Sequence, residues 1–141
     1  MVPKTLNKQS TKIFKQIISK LNGSEHIKIN NSDAFMSLSV EKLQTVRGDF
    51  DTKLSLVSLA HYGEQNGDLI ADPDVVFLVI EKGKFCAVYP VEITQAFIGE
   101  YKRYIDLDEN LHFKTFYPAG QRDLKDFCNI WMKNIKYQQL S

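Results

Sequence analysis

Thiols, long apolar runs and any surplus of one charge are all scarce in this chain of 141 residues. Cys86 and Cys128 are its only cysteines and sit outside any CxxC or Cys/His spacing. That excludes a disulfide-stapled scaffold and a structural zinc site, and points to two small buried hydrophobes in a reducing compartment. No apolar run approaches the roughly 20 residues needed to span a bilayer. The opening MVPKTLNKQS has no apolar core of a signal peptide, so a cytoplasmic location without a membrane partner is expected. With 18 basic and 17 acidic side chains the formal net charge is +1, which fits neither a polyanion-coating protein nor an acidic mimic of nucleic acid. HExxH, DxDxDG and GxSxG are missing too, as are repeats, heptads and low-complexity segments, so no cofactor, metal or enzymatic activity is expected.

What remains is enough for one core: 43% hydrophobic residues in a chain of this length bury roughly two thirds of the unfolded surface. Residues 1–9 read as a mobile arm, and residues 10–141 as one domain. Ser10 can cap a helix running to about Leu21, with Phe14, Ile17, Ile18 and Leu21 on its apolar stripe and lysines elsewhere. Period-two alternation then takes over at Ile27 and Ile29, and again at Met36, Leu38 and Val40. The run Leu54–Tyr62 is apolar on both parities, the mark of a central strand covered on two faces. Asn66-Gly67 reverses the chain, and Asp72-Pro73-Asp74 adds a second kink. Val75–Ile80 and Phe85–Val91 form a hairpin around Glu81-Lys82-Gly83-Lys84. Residues 92–110 fit either a helical face through Ile93, Ala96, Phe97 and Tyr101 or an irregular extended segment. Leu111, Phe113 and Thr115 suggest a last strand. Leu124, Phe127, Cys128, Trp131 and Ile135 line the stripe of a final helix with Lys133 and Lys136 at its end. The order predicts an α+β domain: a mostly antiparallel sheet of about five strands with N-terminal and C-terminal helices packed on one face.

Unusual chemistry concentrates in residues 61–74, where His61, Glu64, Asp68, Asp72 and Asp74 surround a reversal. One imidazole and four carboxylates could serve a divalent cation, but the turn backbone can equally occupy the aspartates, and no metal site is assigned. Cations concentrate elsewhere: residues 1–30 carry six lysines against one acid. Lys8, Lys12, Lys15 and Lys20 on the first helix are therefore candidate nucleic-acid contacts, with Lys4, Lys102, Arg103, Lys114, Arg122 and Lys125 in support.

Four blocks, FMSLSVEKL (35–43), HYGEQNGDLIADPDVVF (61–77), AVYP (87–90) and QRDLKDFCNIWMKNI (121–135), resemble in order and spacing a family of uncharacterised domains from bacterial plasmids, phages and conjugative elements. The resemblance spans residues 33–137. Its signature positions here are His61, Tyr62, Glu64, Gln65, Asn66, Gly67, Asp68, Asp72, Pro73 and Trp131. Gly63 stands where a second tyrosine is common. The resemblance implies an association with mobile elements, including antirestriction-like proteins, and a host or mobile-element protein as partner. Together with the missing catalytic constellation it suggests a non-enzymatic protein-interaction module, with an anti-CRISPR or antirestriction inhibitor as its concrete form and a nucleic-acid-binding accessory protein as the alternative. Candidate partner contacts are Tyr62, Glu64, Gln65, Asn66, Asp68, Asp72, Tyr101, Arg103 and Tyr104, residues of the turn and of an aromatic segment with hot-spot composition.

Overall fold

The computed structural model describes residues 2–140, with the side chains of Glu64 and Gln65 outside the described part. Six strands form one antiparallel meander in sequence order: β1 (His26–Ile29), β2 (Leu38–Arg47), β3 (Lys53–Gln65), β4 (Asp68–Lys82), β5 (Phe85–Gln95) and β6 (Glu100–Arg103). A 3-10 turn, Ala96–Ile98, links β5 to β6, and the short strands β7 (Ile105–Leu107) and β8 (Phe113–Phe116) make a separate two-stranded ribbon. The expected α+β class holds. The sheet has six strands rather than about five, and residues 92–110 take the extended alternative.

Helices α1 (Lys8–Ser19) and α2 (Pro118–Ile135) lie together on one face. Phe14 and Ile17 of α1 and Leu124, Trp131, Met132 and Ile135 of α2 bury their side chains against Val40, Val57, Leu59, Val75, Phe77 and Val79. Phe14 meets Phe77 edge to face at 5.0 Å. Each such side chain, fully buried, contributes about 1.5–3 kcal/mol. The ribbon covers part of the other face, where Ile105 and Leu111 close over Leu54, Leu78 and Val91. This is why Leu54–Tyr62 is apolar on both parities. Asn66 and Gly67, at φ 54° and 85°, turn β3 into β4 with the two left-handed residues that the right-handed strand twist favours.

Two expectations need correction. Asn7, not Ser10, caps α1: its Oδ1 accepts the Ser10 N–H at 2.8 Å, while Ser10 itself is buried. The stretch read as a mobile arm is docked. Leu6 is buried and donates its N–H to the Val88 carbonyl at 2.9 Å. The fully buried Gln121 accepts the Lys4 N–H at 2.7 Å and donates Nε2 to the Lys4 carbonyl at 2.8 Å. Pro118 is the first residue of α2, where a missing N–H costs nothing.

Trp131 is 6% exposed and stands between His61, edge-on at 5.5 Å, and Phe127, stacked at 5.9 Å. Trp131→Ala is expected to cost about 3–5 kcal/mol. Urea denaturation checks this, and a loss under about 1 kcal/mol contradicts the packing described.

Candidate functional site

Where the ribbon stops, its face of the sheet changes from apolar to polar. The registers align Glu41, Ser58, Val76, Glu92 and Arg103 in one row across β2–β6, and Ser39, Ala60, Asp74, Thr94 and Tyr101 in the next. Directly opposed residues of antiparallel strands share a face, so both rows point the same way. The patch thus spans three carboxylates, Glu41, Asp74 and Glu92, with the guanidinium of Arg103 at its β6 edge. Arg103 pairs with Glu92 at 3.2 Å. Ser58 donates its hydroxyl to Asp74 at 2.7 Å.

The carboxylates are held closer than their charges favour. Burial pushes the Asp74 carboxyl above its ordinary range, and Glu92 and Glu41 push it further, against the opposing bond from Ser58. Burial also raises the Tyr62 phenol, with Asp74 and then Glu41 adding to it. Tyr101 is raised first by its hydrogen bond with Glu92 and then by burial. Two half-exposed tyrosines, 42% and 54% accessible, therefore flank an acidic centre in which burial opposes ionisation.

Of the residues singled out from sequence, Tyr62, Tyr101 and Arg103 lie on this face. Asn66 and Asp68 are exposed at and beside the β3–β4 turn. Asp72 accepts the Phe97 N–H at 2.8 Å and so anchors the 3-10 turn. Tyr104 packs against the helix-side core with its ring on Gly120, where no side chain would fit. The side chains of Glu64 and Gln65 lie outside the described residues. Gly63 also has a local cause: the Phe97 ring lies 2.7 Å from where its Cβ would be. Sequence reading missed Glu41, Ser58, Asp74 and Glu92 as parts of one site. A signal existed on β3, where Leu54 and Leu56 give way to Ser58 and Tyr62 on one parity.

The carboxylate and imidazole set at 61–74 is dispersed. His61 faces the helices, buried, with Nδ1 3.2 Å from the Ser37 carbonyl, whereas Asp74 faces the opposite side. Among the described residues no group of three or more His, Cys, Asp or Glu side chains could hold a metal. Lys8, Lys12 and Lys15 recur at helical spacing opposite the buried stripe of α1, and Lys20 lies on its flank; all four are exposed. Lys15 also joins Lys42 and Lys53 around a cavity of about 390 Å³ floored by Val57 and Val79. No helix among the described residues is long and apolar enough to cross a membrane.

Fold and site together define an antiparallel α+β domain whose sheet is sealed by helices on one side and half covered on the other. A family model described as a domain of unknown function (DUF6908) matches residues 12–141, and the chain belongs to that family. No curated protein and no solved structure matches it.

Because the folded carboxyl of Asp74 titrates above its unfolded value, the stability linked to it is present below the unfolded pKa and lost as pH rises through the folded one. Ionised Asp74 therefore strains the fold at neutral pH. Asp74→Asn keeps an acceptor for Ser58 and is expected to raise stability at about pH 7. The gain shrinks towards pH 4. Thermal unfolding across that range measures it.

Proposed function

We propose that this domain is a non-enzymatic, cytoplasmic protein-interaction module that uses the open half of its sheet to bind a partner presenting arginine or lysine. The observation that carries this reading is the convergence of Tyr62, Asp74, Glu92, Tyr101 and Arg103 from β3–β6 into one acidic, tyrosine-flanked patch. Such a patch complements a basic segment in charge and offers aromatic anchors. Half-buried carboxylates that repel one another gain from a cation that desolvates with them. The motif blocks and their resemblance to domains of mobile elements support a more specific version, an anti-CRISPR or antirestriction inhibitor acting on a host protein.

An arginine-rich decapeptide titrated into the labelled domain is expected to shift amide resonances at Ser58, Asp74, Thr94 and Tyr101. The double variant Asp74→Asn, Glu92→Gln should weaken that binding about tenfold or more. Shifts confined to other surfaces, or an unchanged affinity, overturn the assignment. For the inhibitor version, expression in a host with an active restriction or CRISPR system should raise the plating efficiency of a targeted phage, and the double variant should not.

A second reading, a nucleic-acid accessory protein, is favoured by one observation: the exposed lysine stripe Lys8, Lys12 and Lys15 on the outer side of α1. It predicts retarded DNA at low salt, with the slope of log affinity against log salt reduced by about 3 when the three are changed to glutamine. An unretarded gel removes it.

A further inference from the structure

Three separate segments meet at a second place, on the helix side. Phe35 and Met36 of the loop before β2, His61 of β3, Trp131 and Asn134 of α2, and Gln138 beyond it line a cavity of about 360 Å³. Its loop wall is fixed by a buried polar staple. Gln139 is fully buried in a single π-helical turn, Lys136–Leu140, that follows α2. Its Oε1 accepts the Asn31 N–H at 2.7 Å, its Nε2 donates to the Met36 carbonyl at 2.9 Å, and its carbonyl accepts from Asn31 Nδ2 at 2.6 Å. A π-turn of this kind is uncommon and occurs frequently at functional sites.

The chemistry of the floor follows from His61. Its Nδ1 faces the Ser37 carbonyl at 3.2 Å, and a carbonyl only accepts, so Nδ1 carries the proton. Burial lowers the pKa of the ring, which keeps it neutral, and Nε2 is left as a lone-pair acceptor. No described group donates to Nε2. Yet the described side chains include no fully buried polar atom without a partner. Nε2 is therefore reached from outside, although His61 is only 5% exposed, and the open space His61 lines is this cavity. Two further rings line it: Trp131, which meets His61 edge-on and is backed by Phe127, and Phe35, which is backed by Tyr137 at 6.0 Å.

The geometry points to a receptor for a hydrogen-bond-donating aromatic ring, a tyrosine or tryptophan side chain carried by a partner protein, held edge to face by these rings with its O–H or N–H donated to His61 Nε2. The protein-borne source follows from the surroundings. Met36, Ile130 and Tyr137 are 48%, 64% and 72% exposed, apolar surface that a flanking chain covers and a lone ring leaves wet.

Trp131 is the chain's only tryptophan, so its emission reports on the cavity directly. Titration with p-cresol, excited where tyrosine is silent, is expected to change that emission saturably, with a Kd on the order of 1 mM. The non-donating 4-methylanisole should bind about fivefold to tenfold more weakly. His61→Phe keeps a ring against Trp131 and should abolish that preference. Phe35→Ala, at an exposed rim position, should weaken both ligands alike while leaving the fold intact. Acetyl-Leu-Tyr-Leu-amide should bind more tightly than p-cresol. No saturable change, equal affinity for the two small rings, or a preference that survives His61→Phe overturns the receptor. Binding of p-cresol with exclusion of the peptide overturns the protein-borne source. Failure here leaves the acidic face unaffected, since the two surfaces lie on opposite sides of the sheet.

Discussion

Everything in this domain hangs on the pairing of β3 with β4. Val57 opposite Phe77 and Leu59 opposite Val75 face the helices, while Leu56 opposite Leu78 and Leu54 opposite Ile80 face the ribbon. Both sides of the first half of the pair are thus dry, and the backbone there is fixed by burial as well as by the ladder. That register holds past the ribbon's end as far as Ala60 opposite Asp74, and it shifts by one residue at a bulge before Tyr62 opposite Ala71. A slip of one residue would turn His61 away from Trp131 and Asp74 away from Ser58 together, so the two sites share one structural cause.

The charges are sorted by the same architecture. α1 buries one stripe in the core and turns Lys8 and Lys12 away from the sheet, while the carboxylates of β2, β4 and β5 gather on the far side. A chain of near-neutral balance therefore has a basic outer helix and an acidic sheet face. Net charge concealed that division. Holding Glu41, Asp74 and Glu92 together costs stability, and the ordered core on the other face offsets that cost.

Much of the fold was legible because it rests on local periodicity or turn chemistry. The two-sided run 54–62, the Asn66-Gly67 reversal and the Trp131 helix are of this kind. The strands β6 and β7 were not legible, because four exposed residues and three short ones leave no alternation to read. The docked N-terminal segment was also hidden, since its anchors are one buried leucine, Leu6, bonded to Val88, and hydrogen bonds to the buried amide of Gln121, more than a hundred residues away. For the site, sequence supplied Tyr62, Tyr101 and Arg103 through residue type alone. Glu41, Ser58, Asp74 and Glu92 join them only through the register of five strands, which no spacing along the chain expresses. His61 stood out in sequence for a shared role with the nearby aspartates; its partners turned out to be Ser37 and Trp131.

The most direct test of this account is hydroxyl-radical footprinting of the native domain, read by mass spectrometry at individual side chains. The account predicts that Tyr62 and Tyr101, on the uncovered half, are oxidised at rates approaching that of exposed Tyr137. Leu78, on the same face but beneath the ribbon, should stay protected. Protection of Tyr62 and Tyr101, or rapid oxidation of Leu78, would contradict a sheet covered on only half of its second face.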